Sequence, residues 1–168
     1  MTARAPLDSR VASSLSICRA LPSSRGRNSF SSVRIGTRLP PYPTSMGRVL
    51  LAHLPAGELD AYLSRAELRK LTERTVVDPA DLRAILATVR SQGWAAVDQE
   101  LEAGVRSIAV PIEDSSGKVV AAINASAHAA RVPMRTLEKE FLPRLLGSAR
   151  QIDSELATRL SSGARAVI

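Results

Sequence analysis

Two short stretches of the chain put small polar side chains where a small molecule could be met. The first is Thr44-Ser45-Met46-Gly47, which runs into the apolar Val49-Leu50-Leu51-Ala52. Thr44 or Ser45 is placed to cap a helix through Ala52, with Met46, Val49, Leu50 and Leu54 spaced to face a core. The first N–H groups of a helix lack partners and its dipole is positive there, so this junction is a ready seat for a carboxylate. Every capped helix has the same feature, ligand or not. The second stretch is Ser107 with Asn124 and Ser126. Asn124 and Ser126 alternate with Ile123 and Ala125, so they share one face of a strand, turned to either water or a ligand. His128 falls two residues further along that face, either joining the group or solvated at the strand's end. A mostly apolar wall with sparse hydrogen-bonding groups is how a sheet builds one side of a small-molecule pocket.

Other constellations fall away. Asp98, Glu100 and Glu102 have no histidine close in sequence to complete a zinc set, and the spacing lacks the dense oxygen pattern and internal glycine of a calcium loop. They read as solvated or structural carboxylates, and no metal or cofactor is expected. Arg106, amid Val105, Ile108 and Val110, could clamp a carboxylate bidentately; pairing with Glu102 at the sheet rim is the preferred expectation. Thr44-Ser45-Met46-Gly47 is no Gly-x-Ser-x-Gly elbow, His53 and His128 have no triad spacing, and no phosphate loop or dinucleotide fingerprint is present.

The elements that must hold these residues are legible. Leu39-Pro40-Pro41-Tyr42-Pro43 is extended by proline geometry. Pro55 starts a helix running to about Leu63. Asp78-Pro79 caps and opens another that ends at Gly93, with Leu82, Ile85, Leu86 and Val89 on one side. Strands are expected at about 94–98, 105–112 and 118–126, the last two joined by Asp114-Ser115-Ser116-Gly117. From Met134 to Leu160 the spacing of Leu137, Phe141, Leu145, Ala149, Ile152, Leu156 and Leu160 gives one amphipathic helix, bent where Pro143 removes a donor. Its stripe looks longer than a small sheet can cover, which argues for a homo-oligomer. The fold class is α+β, a sandwich.

Charge divides the chain. Residues 1–50 hold arginines 4, 10, 19, 25, 27, 34, 38 and 48 against Asp8 alone, whereas the remaining fifteen basic and fifteen acidic residues cancel. The net +7 thus belongs to a segment and says nothing of DNA affinity in the folded body. Cys18 alone excludes an internal disulfide. No apolar run reaches the ~18 residues a membrane helix needs. Aromatic residues are limited to Phe30, Tyr42, Tyr62, Trp94 and Phe141, too few for a single-strand stacking platform.

The run Gly93 to His128, together with Thr44-Ser45-Met46-Gly47 followed by Leu50-Leu51-Ala52, resembles the C-terminal effector-binding domain of the IclR family of bacterial transcription regulators, from about Val33 to Leu160. The resemblance implies a GAF-like fold, a central antiparallel sheet flanked by helices. It implies an effector pocket that takes in the 44–47 junction and the positions of Ser107, Asn124 and Ser126. It also implies dimers or tetramers. Many members carry an acid at the position of Val97, and this chain does not. The Val97-Asp98-Gln99-Glu100-Leu101-Glu102 run is similar to the branch regulating protocatechuate and β-ketoadipate catabolism, which implies an aromatic, keto or dicarboxylic acid effector. The family's winged helix-turn-helix lies ahead of this region and is not in the chain. The expected organisation is therefore a basic segment over 1–32, disordered or the product of a misplaced gene start, an effector-binding domain over 33–162 and a tail over 163–168. The expected function is small-organic-acid sensing for a cytoplasmic regulator that reaches DNA only through that absent domain and has no membrane contact. The alternative is a stand-alone hydrolase or isomerase acting on a small acid through Ser107 or Ser126, neither of which has a base beside it in sequence.

Overall fold

The computed structural model describes residues 38–163. The 1–32 segment, Cys18, the onset near Val33 and the 163–168 tail lie outside the described residues or at their limit. The elements run α1 (Ser45–Ala52), α2 (Ala56–Leu63), α3 (Pro79–Gln92), β1 (Ala95–Asp98), β2 (Val105–Glu113), β3 (Val119–His128), then a continuous helical stretch of α4 (Met134–Thr136), a π turn (Leu137–Phe141) and α5 (Leu142–Gly163). The strands form an antiparallel sheet in the order β1-β2-β3.

Local chemistry fixes each boundary. Asp78 accepts the N–H groups of Ala80 and Asp81 at 2.7 and 3.1 Å, Pro79 opens α3 without needing a donor, and Gly93 ends it in the left-handed region at φ 80°. Asp114 accepts Ser116 N–H and hydroxyl at 2.8 and 2.6 Å and so closes the β2–β3 hairpin. The pairing slips at Ile112/Glu113, and Asp153 of α5 takes the Glu113 N–H at 2.9 Å. The π turn lies immediately before Pro143, where a regular helix would lose a donor.

The register sorts side chains between two faces. Ala95, Ala109 and Ala122 lie under α1, in a core with Val49, Leu51, Ala52, Leu82, Leu86 and Val89. Small residues on the strands let α1 approach closely. Val110, Ile112 and Ile123 turn the other way, against Leu142, Leu145, Leu146, Ala149, Ile152 and Leu156. Each buried aliphatic side chain there contributes about 1.5–3 kcal/mol. Helices thus cover both faces, the sandwich expected. One expectation is corrected. The apolar stripe of α5 is packed against the sheet's cluster as far as Leu156, so it leaves no long uncovered seam among the described residues. A strand of ten residues and a helix of twenty-two are both about 33 Å long, which is why they match.

Candidate functional site

The first turn of α1 is built tightly. Thr44, extended at φ −117° and ψ 142°, caps it: its hydroxyl accepts Gly47 N–H at 3.0 Å and donates to Pro41 C=O at 3.1 Å. A methyl group on Gly47 would sit 2.2 Å from the Pro41 oxygen, so this glycine is required by the strap crossing the helix. Ser45 is 1% exposed, and its hydroxyl oxygen has no hydrogen-bond partner among the described residues. Met46 is half-buried against the core beneath.

On the sheet, Ser107 lies directly opposite Ser126 on one side and Val97 on the other. Asn124 pairs with Ala109, and His128 with Val105. Ser107, Asn124, Ser126 and His128 therefore share the face that carries Ala95, Ala109 and Ala122, the face α1 crosses. Asn124 Nδ2 donates to Ser126 Oγ at 3.0 Å, while its Oδ1 is buried without a partner. His128 is exposed, with Nδ1 accepting Ala130 N–H at 3.2 Å. The four strand residues expected from sequence are thus brought onto one surface, and Ser45 lies on the helix laid across it. Thr44 and Gly47 are spent on building the turn.

The charged residues do other work. Arg106 does not pair with Glu102 as expected. It bonds Asp98, its direct partner across β1–β2, and donates to the carbonyls of Ala129 and Val132 at 3.2 and 3.0 Å. This arrangement ties the chain after β3 to the sheet and leaves the guanidinium committed. Arg74 pairs with the other Asp98 oxygen. Partial burial acts to raise the Asp98 pKa, but hydrogen bonds from Arg106 and Gln99 and the charges of Arg106 and Arg74 outweigh it and hold the carboxyl below its ordinary value. Glu100 is buried and paired with Arg48 at 2.6 Å. Sequence reasoning missed that pair. Its signal was an arginine on the buried side of α1, which demands a partner; the partner, fifty-two residues on, could not be read from spacing.

Among the described residues, no three His, Cys, Asp or Glu side chains gather as a metal site. A surface depression of about 430 Å³ lined by Leu63, Pro79, Ala80, Arg83, Ala84 and Ala87 lies between α2 and α3. It contains none of the polar strand residues and carries few groups that could orient a ligand, so the strand face is the better candidate.

Comparison with known proteins fits this geometry. The model of the bacterial transcriptional regulator IclR C-terminal region matches residues 20–154. The chain belongs to the IclR family. Among its IclR relatives, the Pca regulon regulatory protein of Pseudomonas putida is 53% identical over 122 residues, 73% of this chain and 42% of that protein. A transcriptional regulator from Rhodococcus sp. RHA1 superposes with TM-score 0.74 at 50% identity, covering 76% of this chain and 52% of that one. The inducer-binding domain of PobR from Acinetobacter, solved as a double mutant with 3-hydroxybenzoic acid, gives TM-score 0.70 at 31% identity, covering 80% and 76%. The chain spans about two fifths of the length of the curated IclR relatives it matches first. Those relatives regulate transcription, so the hydrolase or isomerase alternative gives way to a regulator's effector-binding domain. No helix among the described residues is long and apolar enough to cross a membrane.

Proposed function

We propose that this domain senses a small organic acid, aromatic or of the keto or dicarboxylic type, held between the first turn of α1 and the polar strand face. The observation that carries this is a pair of buried polar atoms without partners, Ser45 Oγ on the helix and Asn124 Oδ1 on the sheet. Burying such atoms unpaired is unfavourable, and a bound molecule that meets them removes the penalty. With Arg48 and Arg106 both committed to carboxylates, a ligand carboxylate would be held by backbone N–H groups and hydroxyls rather than a full counter-charge. Met46 and Val97 enclose its apolar part, with Thr44, Gly47, Ser107, Ser126 and His128 completing the surround. The hydroxybenzoic acid in the PobR domain and the Pca regulon of the Pseudomonas relative favour aromatic or related acids.

Binding would shift the population between two arrangements of a homo-oligomer in the cytoplasm. That shift would change operator binding by winged helices outside residues 1–168. Titration calorimetry with hydroxybenzoates and small dicarboxylates tests the site. Asn124→Ala and Ser126→Ala are expected to weaken binding about ten- to a hundredfold, and Glu102→Gln to leave it within about twofold. Unchanged affinity in both strand variants places the ligand elsewhere.

A further inference from the structure

The charged pair behind α1 plays no part in the proposed contacts, yet it begins one helical turn from them. Arg48 follows Ser45 by three residues, so the two leave α1 on the same side, and they are 2% and 1% exposed. Arg48 donates Nε to the Tyr42 carbonyl at 2.8 Å and a terminal nitrogen to Glu100 Oε2 at 2.6 Å. The same carboxylate oxygen accepts Val76 N–H at 3.1 Å. The Glu100 carbonyl accepts the Thr75 hydroxyl at 2.7 Å, and the Gln99 carbonyl accepts that of Thr72, also at 2.7 Å. The Tyr42 hydroxyl donates to Arg69 C=O at 2.6 Å. The segment 69–76 has no helix or strand of its own. It is fastened at both ends to the network that starts at Arg48.

We propose that the Arg48–Glu100 pair is a positioning device that couples the Ser45 end of α1 to the 69–76 segment, so that filling the ligand site orders that segment. The proposal rests on the ligand-site reading for its input alone. A physical argument and one observation set the pair apart from filler. Apolar side chains would occupy the same volume without desolvating two charges, so what the pair adds is a single fixed geometry. Beside it, Gln99 is held in the left-handed region at φ 63°, with its N–H on Val105 C=O at 2.7 Å and its Oε1 accepting Gly104 N–H at 3.0 Å. A non-glycine residue stays there only where its surroundings over-determine it. The links from Ser45 outward are stiff as well, because Gly47 is clamped under Pro41 next to Tyr42. Leu71, 45% exposed on the segment, makes any change in its order a change of surface.

The test is amide hydrogen exchange at Leu71 and Thr72, whose N–H groups bond Thr75 Oγ1 at 3.1 and 2.8 Å and do not touch Glu100. The native chain is compared with Arg48→Met/Glu100→Leu, and with Arg48→Lys should the double variant fail to give a cooperative melt. In the first arm, Ser45→Val without ligand speeds both amides by roughly tenfold in the native background and by less than about twofold in the variant. In the second arm, 3-hydroxybenzoic acid slows them by roughly tenfold in the native chain, whereas the variant binds the same acid by calorimetry with slowing below about twofold. Equal effects in the two backgrounds, or no effect of Ser45→Val in the native chain, overturn the coupling. Absence of calorimetric binding by the native chain overturns the ligand site instead, and the first arm still decides the coupling.

Discussion

The two faces of the sheet are made from the same three strands and are finished differently. Under α5, Val110 and Ile112 are 0% and 2% exposed, and Ile123 is sealed beside them. The charged residues on that side, Asp98 and Arg106, satisfy one another and the nearby carbonyls. Under α1, alanines seal only one half of the face. The other half carries Ser107, Asn124, Ser126 and His128, with Asn124 Oδ1 buried and unpaired. One face is complete as it stands. The other keeps an unpaired buried amide oxygen, and α1, the helix packed on that face, has an unpaired atom of its own, Ser45 Oγ. On the proposed reading, recognition belongs to the second face, whose alanine half shares the core with α1.

This contrast can be broken by mutation. Ile112→Ala is expected to cost about 2–5 kcal/mol in urea denaturation, whereas Ser126→Ala stays within about 0.5 kcal/mol. Comparable losses from both would erase the distinction between the faces. Gly47→Ala tests the seam between strap and helix: its methyl group must displace the Pro41 backbone, which costs about 1–3 kcal/mol and moves the first turn of α1. Native stability together with native ligand affinity in that variant would show that the turn is not set by this contact.

A smaller effect concerns pH. The Asp98 carboxyl is held below its unfolded value of about 3.9, so its stabilisation is present above roughly pH 4 and is lost as pH falls through the folded pKa. Asp98→Asn should flatten the acid limb of a stability-versus-pH curve and leave the slope above pH ~5 unchanged. An unaltered acid limb would mean that the Arg106 and Arg74 contacts carry no linkage.

Much of the fold was legible because its signals are local. Thr44, Asp78-Pro79 and Gly93 mark helix ends through chemistry that acts within three or four residues, and alternation about Asn124 and Ser126 gave their shared face. What was not legible depends on register and distance. Arg106 was expected on Glu102 because the two are near in sequence, but the turn after β1 pairs Asp98 with Arg106, and that turn is held by Gln99 at a positive φ that no glycine announces. The Arg48–Glu100 pair joins elements that meet only once α1 lies across the sheet. The unpaired Ser45 hydroxyl could not be foreseen either, since a serine after a cap is ordinarily solvated. Periodicity marks the apolar stripe of α5 but not what covers it, and Leu142 to Leu156 prove to pack against Val110, Ile112 and Ile123.

Whether a small acid is held between Ser45 and the polar strand face is decided by the amide spectrum during titration with 3-hydroxybenzoic acid. An acid in that place gives saturable shifts of the Asn124 side-chain NH₂ and of the backbone amides of Ser45, Met46, Ser107 and Ser126, with the face under α5 unmoved. Shifts confined to Leu63, Arg83 and Ala84 around the depression between α2 and α3, or none with any acid of the panel, would contradict it.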